Sequence, residues 1–472
     1  MKTVAIIGGG ITGLTAAFGL KQQGVPVKLF EAGNRVGGVI QSMRREGHLA
    51  EFGPNSILET SPVISGLVQD LGLEQRKVYS DPGAEKRFIV RGGEAIEMPT
   101  TPGAFLRTKL FSAAAKFRLF AEPLLPRGPA GDKESIGQFV QRRLGQEFLD
   151  YAINPLVAGI YAGDTAKLSV KCAFPKLHAL EQKYGSLLLG QVLGARARKK
   201  SGEVSKQDAK KFSFDAGLQV LIDRLQEKLS GEIVLNSPVR SLEQTADGWR
   251  VHLDDQADSE AETFDSVVLA LPAYKLAWLK MKTDVPVDFS SLADIHYPSV
   301  ASVVLGFKRS DVAHPLDGFG MLIPEKEKLN ILGALFSSSL FPNRAPQGEV
   351  TITCYLGGCR NPMLASNSLE ELARLTEIDL GKILGITGRP TFQQVTVFKR
   401  AIPQYNVGFG RYLEVMQAAE RNAPGLFIAG HARDGISLSD SITSGHNIAG
   451  RIQTFLAADK KQPATLELQN AA

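Results

Sequence analysis

The stretch that decides the fold is residues 3–13, TVAIIGGGITG, at the start of the chain. An apolar, β-branched run leads into three glycines and an apolar helical pattern follows, which predicts a strand, a tight turn and a helix. In such a turn Gly8 permits the change of direction, Gly10 lets the backbone approach a pyrophosphate, and Gly13 lets the helix pack closely on the strand. The helix begins near Ile11, so its free N–H groups and its positive dipole end are predicted to face the phosphates.

An acidic residue follows the glycine motif one strand later. Residues 25–30 form the next predicted strand, and Glu31 comes directly after it. There its carboxylate can accept hydrogen bonds from the hydroxyls of a ribose. Glycine triplets also make ordinary turns, so the motif alone is a weak signal. Together with the strand before it, the helix after it and the acid, it indicates a dinucleotide-binding site.

The next segment narrows the choice of cofactor. Residues 35–38, RVGG, resemble the RxGG segment of flavoproteins of the glutathione-reductase-like and amine-oxidase-like group. In that group an arginine and two glycines pass close to the FAD pyrophosphate and the flavin. The resemblance implies that the cofactor is FAD and not NAD, with Arg35, Gly37 and Gly38 beside it.

Composition limits the class of protein. With 472 residues the chain is too long for one compact core, and 43% apolar with 22% charged residues is typical of a globular protein. The net charge of +5 suits an anionic substrate or an anionic membrane surface. No nucleic-acid-binding signature accompanies it, so we expect no nucleic-acid partner.

Cysteine usage and hydropathy bear on the compartment. Cys172, Cys354 and Cys359 are too few for a disulfide framework, and neither they nor the histidines show metal-ligand spacing, so we expect free thiols and no metal. No basic leader precedes the first apolar run, and no stretch reaches the roughly 18 apolar residues of a membrane-spanning helix. The chain is predicted to be cytoplasmic, with any membrane contact peripheral.

The order of elements predicts an α/β fold whose Rossmann-like FAD-binding domain is split by insertions. A hairpin is expected around Gly92 and Gly93, a solvated basic loop over 196–211, and a helix from Phe214 to about Leu229. The three parts of the FAD-binding domain are 1–80, 206–272 and 419–457. An α+β substrate domain takes 81–98 and 273–418, with an antiparallel sheet expected from residues 295–415. A helical and membrane-facing insertion takes 99–205, and a flexible tail takes 458–472.

Several motifs, in order along nearly the whole chain, resemble the protoporphyrinogen oxidase family. Two of them together are highly specific: GIYAGD at residues 159–164 and PQYNVG at residues 403–408. The others are EFGPNS at 51–56, FDAGL at 214–218, SSSLFP at 337–342 and YLGG at 355–358. The family's enzymes use FAD near the end of haem synthesis, so the resemblance implies FAD and a porphyrinogen substrate.

A second cofactor segment is expected near the end of the chain. Gly430 ends a predicted strand and Asp440 precedes a predicted helix, so this return can aim N–H groups at a flavin, although Gly435 and Gly445 also fit ordinary turns. Counting both segments, the resemblance implies an FAD site made of Gly8, Gly10, Ile11, Thr12, Gly13, Glu31, Ala32, Arg35, Gly37, Gly38, Gly53, Pro54, Asn55, Val239, Gly430, Gly435, Ile436, Ser437 and Leu438. His431 could approach the flavin, but a satisfied or exposed histidine is the preferred interpretation.

The resemblance also implies a substrate site made of Arg87, Asn55, Gly159, Leu335 and Tyr355. A guanidinium binds a carboxylate in bidentate fashion, which suits a tetrapyrrole propionate. From the sequence alone a solvent-facing strand residue is the preferred interpretation of Arg87, and Asn55, Leu335 and Tyr355 fit a core. Plant relatives carry phenylalanine at the position of Tyr355, so its hydroxyl is expected to need a partner or water.

The reaction implied is the six-electron oxidation of protoporphyrinogen IX to protoporphyrin IX, in three hydride transfers to FAD with oxygen reduced to hydrogen peroxide. The flavin carries this chemistry, so no catalytic side chain is expected. Coproporphyrinogen III oxidation to coproporphyrin III is the nearest alternative, although Arg87 and Asn55 look more like the protoporphyrinogen branch. An amine or carotenoid oxidoreductase and an FAD-free binding module are more distant alternatives, which GIYAGD and the intact phosphate loop disfavour respectively.

A basic and apolar stretch bears on the partner surfaces. In residues 105–121 apolar side chains alternate with arginine and lysine, a pattern that fits a buried helix or a membrane surface with anionic lipids. The family's helical domain faces the membrane, so the resemblance implies peripheral attachment on the cytoplasmic face. A homodimer is also compatible with the sequence.

Overall fold

The structure is a computed structural model that describes residues 2–191, 193–194, 209–254 and 261–458. Most of the basic loop predicted over 196–211 and nearly all of the tail predicted over 458–472 lie outside the described residues. No helix among the residues described combines the length and the apolar composition needed to cross a bilayer.

A parallel five-stranded sheet, here called the nucleotide sheet, forms the core of one half of the molecule. Its strands come from three distant parts of the chain, in the order Ile233–Val234, Val27–Phe30, Val4–Ile7, Ser266–Leu269 and Leu426–Ile428. The three central strands are almost fully apolar because both faces of the sheet are covered. This arrangement confirms the prediction of a split Rossmann-like domain.

Four helices complete this half of the molecule: Ile11–Gln22, Pro62–Asp70, Gln219–Lys228 and Leu438–Ala458. The first and last of them pack against each other. The helix predicted from Phe214 was wrong in its start, because Phe214 ends the strand Lys211–Phe214. Gly217 then turns the chain at φ +89°, a conformation that no helix contains, and the helix begins two residues later.

A seven-stranded sheet, here called the substrate sheet, forms the other half. Its order is Phe392–Phe398, Val300–Lys308, Glu349–Gly357, Ile331–Leu335, Gly318–Leu322, Lys86–Arg91 and Glu94–Glu97. The last two strands form the predicted hairpin, with Gly92 and Gly93 both at positive φ in its turn. The strands between residues 295 and 415 pair antiparallel, as predicted, whereas the hairpin joins them through a parallel pairing of Lys86–Arg91 with Gly318–Leu322.

Smaller sheets join the two halves. The predicted strands between residues 239 and 253 do not enter the nucleotide sheet. They form a four-stranded sheet of their own, in the order Glu262–Phe264, Gly248–Leu253, Val239–Thr245 and Lys280–Lys282. A two-stranded sheet pairs Ser42–Arg45 with His48–Glu51, and a three-stranded sheet contains Ile57–Leu58, Lys211–Phe214 and Lys77–Tyr79.

The segment between residues 99 and 184 is helical. It contains Pro102–Arg107, Ala113–Phe120, Ile136–Arg143, Gln146–Phe148, Asn154–Tyr161, Val170–Ala173 and Pro175–Tyr184, with a π-helical turn at Leu149–Ile153. The basic and apolar stretch 105–121 is not one helix, since Ser112 caps a new one by accepting a hydrogen bond from the Ala115 N–H. Later helices are Ala273–Leu276, Ser337–Leu340, Leu369–Leu384 and Gly410–Asn422.

Candidate active site

A cavity of about 1210 Å³ lies between the carboxyl ends of the nucleotide strands and the substrate sheet. Its wall includes the glycine loop after the first strand, the segment 53–56, the helix Asn154–Tyr161, and strands of the substrate sheet. Ligands of open α/β sheets bind at this edge, because the loops that follow parallel strands meet there. The cavity thus brings the predicted substrate residues and most of the predicted cofactor residues to one place, whereas Gly13, Arg35 and Gly435 do not line it.

The glycine loop has the geometry of a phosphate cradle. Gly8 has φ +110°, and a Cβ on Gly13 would lie 2.0 Å from the Gly8 carbonyl oxygen, so both glycines are required by the turn and the packing. A Cβ on Gly10, by contrast, would meet no atom within 4 Å. Gly10 lines the cavity, as do Ile11 and Thr12 in the first turn of the helix. The bare backbone and the helix N-terminus therefore suit a pyrophosphate.

Glu31 holds this loop in place. Its Oε2 accepts a hydrogen bond from the Gly9 N–H at 2.8 Å, and its Oε1 accepts one from the Gly33 N–H at 2.8 Å. Each carboxylate oxygen retains a second lone pair, so Glu31 can also accept from a ribose hydroxyl. Ala32 and Val239, which were predicted as cofactor residues, also line the cavity.

Arg35 acts on the loop and does not line the cavity. Its guanidinium donates to the carbonyl oxygens of Gly38 at 2.7 Å and of Val36 and Ile40 at 3.2 Å each. These bonds hold Gly37 and Gly38, which do line the cavity, beside the glycine loop. The structure therefore places Arg35 as a support for the cradle and not as a direct wall residue.

The return near the end of the chain forms another wall. Gly430 lines the cavity at φ +115°, and its N–H donates to Ser444 Oγ at 2.9 Å. Ile436, Ser437 and Leu438 line it at the N-terminus of the last helix. Gly435 does not line the cavity; its φ of +121° and its closeness to the Asp440 carboxylate make it a turn residue. The helix N-terminus can thus stabilise negative charge on a flavin.

Asn55 and Tyr355 meet on the cavity wall beside Gly53 and Pro54. Asn55 Nδ2 donates to Tyr355 Oη at 2.6 Å, and the tyrosine hydroxyl donates to the Gly53 carbonyl oxygen at 3.3 Å. This supplies the partner that the sequence analysis required for the Tyr355 hydroxyl. Burial raises the pKa of Tyr355, so the phenol stays protonated.

The remaining predicted substrate residues also line the cavity. Leu335 lies on the substrate sheet, and Gly159 lies on the facing helix, where a Cβ would be 2.6 Å from Leu322 Cδ2. Arg87 Cζ lies 5.9 Å from the ring centroid of Phe319, which is another wall residue. No carboxylate among the described residues forms an ion pair with Arg87. Its charge is therefore available to a ligand carboxylate.

Several wall residues were missed by the sequence analysis. Phe319 has no local signal, because only the sheet register places it beside Arg87. His431 lines the cavity with Nε2 3.4 Å from Tyr297 Oη, and burial lowers its pKa to about 4. The sequence analysis noted its position directly after Gly430 but preferred a satisfied or exposed histidine. Within the described part of the chain, no group of three or more histidine, cysteine or acidic residues could hold a metal ion.

Comparison with known proteins agrees with this site. The family model described as "Flavin containing amine oxidoreductase" matches residues 11–453. Protoporphyrinogen oxidase 2 of Arabidopsis thaliana is 34% identical, covering 98% of this chain and 96% of the relative. Coproporphyrinogen III oxidase of Bacillus subtilis (strain 168) is 32% identical, covering 96% of this chain and 98% of the relative. A crystal structure from Exiguobacterium sp. 255-15 is 26% identical, with a TM-score of 0.80 over 96% of this chain and 99% of that one.

The match extends over nearly the whole chain, and the structure holds a glycine cradle, a supporting carboxylate and a helix N-terminus that suit FAD. The protein is therefore an FAD-dependent oxidoreductase that belongs to the flavin-containing amine oxidoreductases, in the family of the protoporphyrinogen and coproporphyrinogen III oxidases.

Proposed function

We propose that this protein oxidises protoporphyrinogen IX to protoporphyrin IX in haem biosynthesis. The observation that carries the proposal is one cavity that joins the dinucleotide cradle to a wall holding Arg87, a cation without an acidic partner among the described residues. The oxidation removes six electrons and six hydrogen atoms from the macrocycle. Three molecules of oxygen take them up, so three molecules of hydrogen peroxide form.

FAD, when bound in the cradle, supplies the hydride acceptor for each two-electron step. The chain has to hold a bridge carbon of the macrocycle in place and keep water away. Arg87 binds a propionate carboxylate, and Leu335 with the helix that contains Gly159 forms apolar walls for the rings. These contacts fix the orientation of a substrate that has few polar groups.

Asn55 adds a polar contact to the macrocycle. Its Nδ2 is engaged by Tyr355 and by the Gly53 carbonyl oxygen, while its Oδ1 accepts no hydrogen bond from the residues described. Pyrrole N–H groups are donors, so they suit this free acceptor. The amide oxygen also carries partial negative charge, which stabilises positive charge that develops on the macrocycle as hydride leaves.

Coproporphyrinogen III is the second candidate substrate, and the relative from Bacillus subtilis carries that name. This substrate has four carboxylates, whereas protoporphyrinogen IX has two. The direct test is anaerobic mixing of the yellow protein with each porphyrinogen, with flavin bleaching followed at its visible absorbance. We expect faster bleaching with protoporphyrinogen IX. Faster bleaching with coproporphyrinogen III would select the alternative, and no bleaching with either would refute porphyrinogen oxidation.

We further propose peripheral attachment to the cytoplasmic face of a membrane through the two helices Pro102–Arg107 and Ala113–Phe120 and the turn after them. Leu106, Phe117, Phe120 and Leu124 are 60%, 77%, 66% and 87% exposed. Arg107, Lys109 and Arg118 are exposed around them. Exposed apolar side chains with a basic rim suit a bilayer surface that contains anionic lipids. A hydrophobic substrate could then reach the enzyme from the bilayer.

A further inference from the structure

We propose that Lys211 is a second carboxylate-binding cation, which with Arg87 and Phe319 forms a clamp for the two propionates of the porphyrinogen. The name Phe319 clamp is used for these three residues. The inference rests on the proposed function, since it assigns how that substrate is held. It concerns a residue that no motif in the sequence distinguished.

The strand Lys211–Phe214 directs the lysine toward the substrate half of the molecule. Side chains alternate along a strand, so Lys211 and Ser213 share one face while Phe212 and Phe214 share the other. The two phenylalanines are buried in the core beside the nucleotide sheet. Ser213 Oγ accepts a hydrogen bond from Arg344 Nη2 at 2.7 Å, on the substrate side. Lys211 therefore points toward the substrate sheet as well.

The two cations meet at one aromatic ring. Lys211 Nζ lies 5.7 Å from the ring centroid of Phe319, and Arg87 Cζ lies 5.9 Å from the same centroid. Arg87 and Phe319 line the cavity. Lys211 lies against that ring on a flexible four-carbon stem, so a change of rotamer can bring its ammonium group to a ligand. The clamp joins a strand of the nucleotide half to strands of the substrate half.

The two cations of the clamp differ from Arg143 and Lys77, which have acidic partners. Arg143 contacts Glu122 and Glu181, and Lys77 contacts Glu59 at 2.5 Å. Within the described ranges, neither Arg87 nor Lys211 forms an ion pair. Burial and the positive charge of Arg87 both lower the pKa of Lys211, whereas the negative charge of Glu85 raises it. Arg87 at the cavity wall and Lys211 against the same Phe319 ring are like charges, so an anionic ligand that reaches both stabilises them best.

The chemistry of the cavity identifies that ligand. A suitable ligand carries carboxylates on short, flexible chains at one edge of a large apolar ring system. The carboxylates can then reach the two cations while the rings lie against apolar residues. The two propionates of protoporphyrinogen IX have this arrangement. The Phe319 ring, which both cations approach, offers an apolar surface for the methylene groups of the propionates.

The test compares Lys211→Met with Lys210→Met in the FAD-loaded enzyme. Lys210 is the adjacent, exposed lysine, whose ammonium lies over the Tyr79 ring. We expect Lys211→Met to raise the concentration of protoporphyrinogen IX at half-maximal flavin reduction about tenfold, with the limiting rate within about twofold of the wild type. Lys210→Met should match the wild type, and Lys211→Arg should recover most of the affinity. Flavin content and the thermal midpoint report folding, and Lys211→Gln replaces the methionine variant if that variant loses FAD.

A second measurement separates carboxylate binding from a structural effect. Each variant is titrated with protoporphyrin IX and with its dimethyl ester, with the Soret band as the signal. We expect Lys211→Met to weaken binding of the diacid and to leave binding of the diester unchanged. Equal weakening of both ligands, or wild-type affinity for the diacid, would overturn the clamp. If the wild-type flavin is not bleached by any porphyrinogen, the proposed function is refuted instead. The porphyrin titration measures binding without flavin reduction, so it distinguishes failure of the clamp from failure of the proposed function.

Discussion

Asn55 and Tyr355, 300 residues apart in the chain, are joined by a 2.6 Å hydrogen bond from the asparagine amide to the tyrosine hydroxyl. Asn55 follows the loop that borders the cofactor cradle, and Tyr355 belongs to the strand Glu349–Gly357 of the substrate sheet. The same hydroxyl also bonds the Gly53 carbonyl oxygen. This pair therefore fixes the position of the substrate sheet relative to the segment 53–56 of the cavity wall.

Tyr355→Phe should weaken the orientation of the Asn55 side chain without loss of FAD from the cavity. The phenyl ring keeps the packing, but the amide and the Gly53 carbonyl lose one buried partner, which costs about 1 kcal/mol of unfolding free energy. We expect KM for the porphyrinogen to rise about threefold to tenfold while flavin content stays at one per chain. Steady-state porphyrin fluorescence measures KM. An unchanged KM would show that Asn55 keeps its orientation without the hydroxyl.

Gly10→Ala should lose FAD binding, whereas Gly13→Ala should lose stability. At Gly10 the backbone has φ −70°, and a Cβ would meet no atom, so alanine fits the fold but occupies the phosphate cradle. At Gly13 a Cβ would lie 2.0 Å from the Gly8 carbonyl oxygen, so the helix and strand must separate, at a cost of about 3 kcal/mol. We expect colourless Gly10→Ala protein with the thermal midpoint of FAD-stripped wild type, and unstable Gly13→Ala protein.

Flavin absorbance per chain and the thermal midpoint distinguish these outcomes. Gly450→Ala is the matched control, because a Cβ there also meets no atom within 4 Å but the residue lies in the last helix, away from the cavity wall. It should keep full flavin content. Normal FAD binding by Gly10→Ala would contradict the assignment of the glycine loop as the pyrophosphate site.

Features of the fold that depend on neighbouring residues could be predicted from the sequence, whereas those that depend on contacts between distant segments could not. The strand Val4–Ile7, the glycine loop and Glu31 were predictable because a few consecutive residues define them. The parallel pairing of Gly318–Leu322 with Lys86–Arg91 was not, because it joins segments more than 200 residues apart, and the composition of a strand does not choose its partner.

The same limit applies to the candidate site. Motif resemblance identified Asn55 and Tyr355 separately, but only the fold shows that they share a hydrogen bond. Phe319 looks like an ordinary strand residue, and Lys211 was predicted as the end of a solvated basic loop, although it begins a strand. Their relation to Arg87 arises from packing between two sheets. The stretch 105–121 was predicted from its pattern of charges, but the break at Ser112 depends on a local cap that the pattern hid.

His431 should make the stability of the FAD-stripped protein depend on pH. Burial lowers its pKa to about 4 in the fold, below the usual 6.5, so the folded protein disfavours the protonated ring. The resulting stability is fully present above pH 6.5 and is lost as the pH falls through the folded pKa. We expect the unfolding free energy to fall by about 1–3 kcal/mol between pH 7 and pH 4, and part of this loss should disappear in His431→Gln.

Urea unfolding of the wild type and His431→Gln at pH 7.5, 6, 5 and 4 measures this effect. The difference between the two proteins at each pH isolates the histidine from the carboxylates that titrate in the same range. A difference that stays constant across this range would show that the ring is hydrated in the cavity and titrates normally.

Phe117→Ser combined with Phe120→Ser should weaken membrane binding without affecting the fold. Both side chains are mainly exposed, so their loss removes little packing, whereas each would bury apolar surface in a bilayer. We expect at least a tenfold fall in partitioning onto vesicles that contain anionic lipid, measured by co-sedimentation, with flavin content unchanged. Met363→Ser is the matched control, since Met363 is 74% exposed, close to the 77% of Phe117, but lies outside the helical segment. Equal loss of binding in Met363→Ser, or no binding by the wild type, would contradict attachment through these helices.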